Sequence, residues 1–174
     1  MARFDATSAE TLIHTFKEGL LSAVAHDLEL RVDSFTVDVD EAAATVSARF
    51  DARSIHVVAA MKHGVKDPSV LSASDRRKID DNLASDVLDS RRHPEITFTS
   101  TRATREGTGW RVEGALKLHG RERTITVPVT EQAGRRIAEV RLHQPDFGIK
   151  PYSAMLGTLK VKPEILVRVS LPAA

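Results

Sequence analysis

His93–Val129 reads HPEITFTSTRATREGTGWRVEGALKLHGRERTITVPV, and its reading decides the fold. Ile96 and Phe98 alternate with Glu95, Thr97 and Thr99; after Glu106-Gly107-Thr108-Gly109 the alternation resumes as Trp110, Val112, Gly114, Leu116 and Leu118 against Arg111, Glu113, Lys117 and His119. A period of two residues on either side of a glycine-bearing turn specifies two half-buried antiparallel strands. A second turn at His119-Gly120-Arg121-Glu122 returns the chain as Ile125, Val127 and Val129 against Thr124, Thr126 and Thr130. Three consecutive strands make a meander.

Alternation continues outward in both directions. Upstream, Arg3–Ala6 and Thr11–Lys17 read as strands, the second with Leu12, His14 and Phe16 on one face and Ile13 and Thr15 on the other. Leu20, Leu21, Val24 and Leu28 suit a short helix or plug. From Leu28 the period becomes two, through Leu30 and Val32, then Phe35, Val37 and Val39 after Asp33-Ser34. That one-residue shift of phase predicts a bulge in a long, bent strand. Val46, Ala48, Phe50 and Ala52, then Ile55, Val57 and Ala59, carry the pattern on, and MKHGVKDPSVLS reads as a loop. Downstream, Ala138, Val140 and Leu142 form a strand broken at Pro145, Ile149–Lys162 is partly coil, and Ile165, Val167, Val169 and Leu171 share one face of a last strand.

One convincing helix interrupts the strands. Ser72 or Ser74 caps it, with Ser72 and Asp75 at capping-box spacing, and Ile79, Leu83 and Val87 recur every four residues opposite Arg76, Arg77, Asp80 and Asp81. It ends ahead of His93-Pro94, since the residue before a proline avoids the helical region. The pattern is therefore all-β with one inserted helix, about eight antiparallel strands, in one domain over residues 1–174. Such a sheet must become a sandwich or a barrel. Long strands, the bulge near Phe35, and a helix able to cover an open end favour the barrel.

Composition narrows the function classes. A chain of 174 residues buries roughly 70% of its unfolded surface. With 25 Lys and Arg against 24 Asp and Glu, no net field draws in nucleic acid. The absence of Cys excludes disulfides, thiolate metal sites and Cys nucleophiles. No basic leader with an apolar core and no run of 18 apolar residues is present, so no membrane span is expected. Cytoplasmic residence is the expectation, or periplasmic if a leader has been removed.

Several residues in order resemble a known family. Asp81-Asn82-Leu83-Ala84-Ser85, Val87-Leu88-Asp89 and His93-Pro94-Glu95-Ile96-Thr97-Phe98-Thr99-Ser100 are similar to the D-x-x-L-x-S, F-L-D and Y-P-x-I-x-F-x-S elements of the YceI-like, polyisoprenoid-binding family. Val112-Glu113-Gly114-Ala115-Leu116-Lys117-Leu118-His119-Gly120 resembles its V-x-G-x-L-x-L-H-G, and Asp146-Phe147-Gly148-Ile149 its D-F-G-I. Asp33-Ser34 stands where the family carries a glycine before the aromatic of the early strand. The resemblance implies a lipocalin-like barrel holding one long apolar ligand: a polyisoprenoid, an isoprenoid quinone or a fatty-acid-like lipid. It implies no catalysis and no cofactor, and pairing among family members implies a homodimer.

The wall residues expected on that basis are the inward apolar set. They are Phe16, Leu28, Leu30, Phe35 and Phe98, followed by Trp110, Leu116, Phe147, Tyr152 and Leu156. A barrel of eight strands is just wide enough for one small ligand, but it is also often filled by its own side chains. A filled structural barrel and a small-substrate enzyme therefore stand as alternatives. His14, His26, His119 and His143 could supply a metal, yet no H-x-H or H-x-x-x-H pair occurs, so they read as turn and surface residues. No G-x-S-x-G elbow supports a catalytic triad. Asp80 and Asp81 diverge on the helix and read as a solvated face, while Lys150-Pro151-Tyr152 is the polar cluster most able to meet a head group.

Overall fold

A computed structural model describes residues 1–18, 26–154, 157 and 159–173. Strands β1 (Ala2–Asp5), β2 (Glu10–Lys17), β3 (Asp27–Val32), β4 (Phe35–Asp40), β5 (Thr45–Asp51), β6 (Ile55–Lys62) and β7 (Val65–Asp67) precede helix α1 (Ala73–Asn82). After it come β8 (Glu95–Glu106), β9 (Gly109–Leu118), β10 (Arg121–Gln132), β11 (Arg135–His143), β12 (Ser153–Ala154) and β13 (Leu159–Pro172). The expected helix or plug near Leu20, Leu21 and Val24 lies outside the described residues, as does Leu156.

These 13 strands form one antiparallel sheet whose path runs β1-β4-β5-β8-β9-β10-β11-β13-β2-β3-β6-β7, with β12 paired to β13 off this path. Only Asp33-Ser34 separates β3 from β4, and a 3-10 turn at Ala52–Ser54 separates β5 from β6. Each of these pairs is thus one bent strand. Counting each as one, the pairing returns on itself: β2 to β3–β4, to β5–β6, to β8, β9, β10, β11, β13 and back to β2. That ring has eight members, which is why the alternation counts about eight. The short β1 and β7 line the outer edges of the bent pair.

The corner is held by backbone bonds between the two bent strands. Asp33 N donates to Ser54 O at 3.3 Å and Asp51 N to Ser34 O at 2.9 Å; Ala52 N reaches Pro94 O at 2.8 Å. Asp51 accepts from both the backbone and the guanidinium of Arg53, which holds its carboxyl below the usual carboxylate range. The phase shift between Val32 and Phe35 is therefore a fold feature: the bend lets one strand serve two stretches of barrel wall.

Helix α1 begins as its sequence specifies. Ser72 Oγ accepts from Asp75 N at 3.0 Å while the Asp75 carboxylate accepts from Ser72 N at 2.9 Å, a complete capping box. A π-type turn at Leu83–Val87 extends the helix, keeping Ile79, Leu83 and Val87 against the barrel. Asp80 corrects one expectation. Its carboxylate accepts from Val57 N at 2.8 Å and so docks the helix on β6, where a solvated face was expected.

The meander follows the alternation closely. Trp110 pairs with Val129, and Thr124 with Ala115, in the register that the two turns impose. The β9–β10 turn places His119 at φ 53° and Gly120 at φ 72°. Two left-handed residues match the twist of the flanking strands. Gly114 has a different reason: a methyl there would lie 2.6 Å from the Phe98 ring. The segment expected as a loop after Met61 contains β7, because His63-Gly64, also at positive φ, closes a two-residue hairpin. No helix among the described residues is long and apolar enough to cross a membrane.

Candidate functional site: an apolar cavity inside the barrel

Inward positions of all eight ring members surround a cavity of about 780 Å³. Its wall is built by the period-two rule: Leu28, Leu30 and Val32; Val46, Ala48 and Phe50; Trp110, Val112, Leu116 and Leu118; Ile125, Val127 and Val129. Ala138, Val140 and Leu142 and then Ile165, Val167, Val169 and Leu171 complete it, with Ile79, Leu83 and Val87 of the helical segment over one end. The volume falls within the ~300–1,000 Å³ of small-molecule sites, and the lining is overwhelmingly aliphatic and aromatic. Among the described residues the interior is hollow, not filled by side chains.

Polar groups collect at the two ends. Near α1 the lining includes His26, Asp75, Lys78, Asn82, Tyr152 and Lys160, and Asn82 Nδ2 donates to Tyr152 Oη at 3.0 Å. At the opposite end, where the β4–β5 and β10–β11 turns lie, it includes Asp40, Glu41, Thr45 and Arg136. Arg136 donates to Glu41 at 2.7 Å and to Glu131 at 3.3 Å, and the bond to Glu41 raises its pKa against the opposing effect of burial. The Arg105 guanidinium lies 5.1 Å above the Trp110 ring. Among the described residues no three His, Cys, Asp or Glu side chains gather as metal ligands.

Of the ten expected wall residues, Leu28, Leu30, Phe98, Trp110, Leu116 and Tyr152 line the cavity. Phe16, Phe35 and Phe147 do not. On β2 the lining residues are Thr11, Ile13 and Thr15, so Phe16 is on the outer face, under the Arg141 guanidinium at 5.8 Å. Phe35 stacks on Phe50 with ring centroids 5.8 Å apart at the bend, and only Phe50 reaches the hollow. Phe147, 2% exposed, is packed into the hydrophobic core, and its carbonyl faces His119 Nδ1 at 3.3 Å. Lys150 is exposed and does not line the cavity, so the expected Lys150-Pro151-Tyr152 cluster divides, Tyr152 alone facing inward.

Arg136 and Thr11 are among the lining residues that reading the sequence missed. A signal for the first was present, since counting back by two from Ala138 makes position 136 inward. Nothing in the local pattern distinguishes the two faces of β2, where Leu12, Ile13 and Phe16 are all apolar.

An antiparallel barrel closed by bent strands around an apolar cavity is a lipocalin-like fold. The chain belongs to the YceI-like family, whose domain matches residues 4–173. Its fold is similar to that of BcnA from Burkholderia cenocepacia, with TM-score 0.67 and 19% identity over 98% of this chain and 99% of that one. A polyisoprenoid binding domain from Saccharophagus degradans superposes with TM-score 0.60 and 15% identity, covering 99% and 98%. The YceI protein of Campylobacter jejuni gives TM-score 0.57 and 13% identity, covering 83% and 82%. No curated protein matches the sequence.

Proposed function

We propose that this protein binds and carries one long apolar molecule, a polyisoprenoid or similar lipid, inside its barrel without transforming it. The cavity of about 780 Å³ with its aliphatic wall carries the reading. The hollow is partly open, so an apolar occupant exchanges water for contact along an aliphatic and aromatic wall. Each CH₂ transferred from water into the cavity contributes ~0.8 kcal/mol, and a few isoprene units suffice for tight binding.

The polyisoprenoid class is carried over from the family and from the Saccharophagus degradans domain described as binding such compounds. Leu28, Leu30, Phe98, Trp110, Leu116 and Tyr152 would be its contacts. Mass spectrometry of an organic extract of the purified protein tests the reading. One apolar species at about one equivalent per chain is expected. An extract free of lipid, from a protein that also fails to take up an apolar dye, would reject it.

A further inference from the structure

The two ends of the barrel carry their cations differently. At the end of the β4–β5 and β10–β11 turns carboxylates neutralise them: Arg136 pairs with Glu41 and Glu131, and Arg3 with Asp38. Around the α1 end, Lys17, Lys62, Lys78 and Lys160 are exposed and hold no ion pair among the described residues. Pairing brings their elements together, since Lys17 lies opposite Val161 where β13 begins, and Asp27 at the start of β3 lies opposite Met61 where β6 ends. Lys78 and Lys160 also line the cavity, so the hollow meets solvent at this rim.

The nearby carboxylates are mostly engaged. Asp27, Asp67, Asp75 and Asp80 each accept from a backbone N–H, and Glu29 is buried against His14 and Lys66, leaving Glu18 and Asp81 exposed. With a net charge of +1 the whole chain exerts no long-range pull, so any attraction here is local.

The β6–β7 hairpin adds an apolar tip to this rim. Val65 is 68% exposed and, besides Met1, is the large apolar side chain left in water among the described residues. It pairs with Lys62 across the His63-Gly64 turn, and register puts both on the face of Ala60 and Leu28, the face that lines the cavity. Lysines often guard the edge of a sheet, and Lys66, paired to Glu29, suits that role. Edge protection explains neither an exposed valine nor Lys78 and Lys160, which lie on other elements.

Cations around an apolar tip, beside an opening into an aliphatic hollow, match the interface of a membrane: phosphate heads outside, hydrocarbon beneath. An acidic polypeptide would satisfy the lysines but gives no use to Val65. We propose that the α1 rim and the β6–β7 hairpin dock on an anionic lipid bilayer, with the lysines on the head groups, Val65 in the interface and the cavity mouth held against the membrane. The proposal rests on the container reading for its purpose and adds the surface across which cargo is exchanged.

Co-sedimentation of the full chain with vesicles tests it. The wild type should bind vesicles of phosphatidylcholine with phosphatidylglycerol, bind phosphatidylcholine alone far less, and lose binding as salt rises. Lys62→Gln and Lys78→Gln should each weaken binding about fivefold. Val65→Ser should weaken it about threefold. Arg102→Gln, which removes an exposed and unpaired cation of β8 away from the rim, should change nothing. The chain has no cysteine, so an environment-sensitive label on Val65→Cys should shift to the blue on anionic vesicles, while the same label on Thr108→Cys in the β8–β9 turn should not. No vesicle binding by a wild type that takes up an apolar dye would overturn the docking surface alone. So would equal losses in Arg102→Gln and Lys62→Gln, a blue shift at Thr108→Cys in place of Val65→Cys, or polyglutamate bound as tightly as the vesicles with no shift at Val65→Cys. Vesicle binding by a protein that takes up no dye would keep the docking surface and overturn the container reading.

Discussion

The meander from β8 to β11 and the bent corner built by β3–β6 with α1 solve different problems with the same alternating code. In the meander one face meets the cavity and the other meets water, and burial alternates most clearly on β9, where Val112, Gly114, Leu116 and Leu118 are buried while Arg111 and Lys117 are exposed. In the corner both faces are covered. Leu30 and Val32 face the hollow and register puts Val57 and Ala60 on that same face, while Glu29 and its partner Ala59 are buried on the opposite side, Glu29 against His14 and Lys66. One region is a lining and the other a joint, and substitutions should separate the two.

The largest contrast is between two introduced carboxylates. Val57→Asp would bury an unpaired charge 3% exposed in the wild type, beside the Asp80 carboxylate that docks the helix. A loss of about 4 kcal/mol or more is expected by chemical denaturation. Phe98→Asp points into the hollow, where the charge can stay hydrated, and should leave a folded barrel that retains no extractable lipid. If the two variants unfolded equally, or if Phe98→Asp kept its lipid, the division between joint and lining would fail.

Gly114→Ala sharpens the lining side. The added methyl lies 2.5 Å from the Thr99 carbonyl oxygen and 2.6 Å from the Phe98 ring and must shift both, an overpacking expected to cost ~1–3 kcal/mol or more and to lower ligand affinity together with stability. Ser72→Ala probes the joint more gently. It removes one side of the capping box and should cost ~1 kcal/mol, read as faster hydrogen exchange in α1 with β9 and β10 unaffected.

Acid should distinguish the regions most subtly. Among the described residues, the carboxylates held below their usual range are Asp5, Asp38, Asp51, Asp67 and Asp75, all in the first half of the chain. Each is lowered by hydrogen bonds to its charged form, so its contribution is present above the unfolded carboxylate value, near pH 4, and is lost as pH falls through the folded value. Hydrogen exchange below pH 4 should therefore accelerate in β4–β6 and α1 before it does in β8–β10. Asp51→Asn should reduce that acid sensitivity, and a uniform response along the chain would contradict the contrast.

The same contrast explains what could be read from the residues alone. Single-sided burial made the meander legible to the register, because Phe98 lies between Thr97 and Thr99 and Trp110 and Leu116 are followed by Arg111 and Lys117. The inserted helix was legible for the same reason, through Ser72, Asp75 and the Ile79-Leu83-Val87 stripe. Phe16 was placed on the wrong face because β2 carries apolar residues on both, and alternation has no sign. Phe35 in the joint and Phe147 in the turn after β11 were recognised as buried, but burial is not exposure to the cavity. The closure of ten of the thirteen strands into an eight-membered ring depends on two chain bends whose partners are distant in sequence, and periodicity carries no information about pairing across such distances.

The account stands on a hollow that an apolar molecule fills. Titrating an apolar, environment-sensitive dye into delipidated protein measures this directly. Saturation at one dye per chain, reversed by added isoprenoid and absent in Phe98→Asp, is the predicted result. A folded wild-type protein that takes up no dye would contradict it.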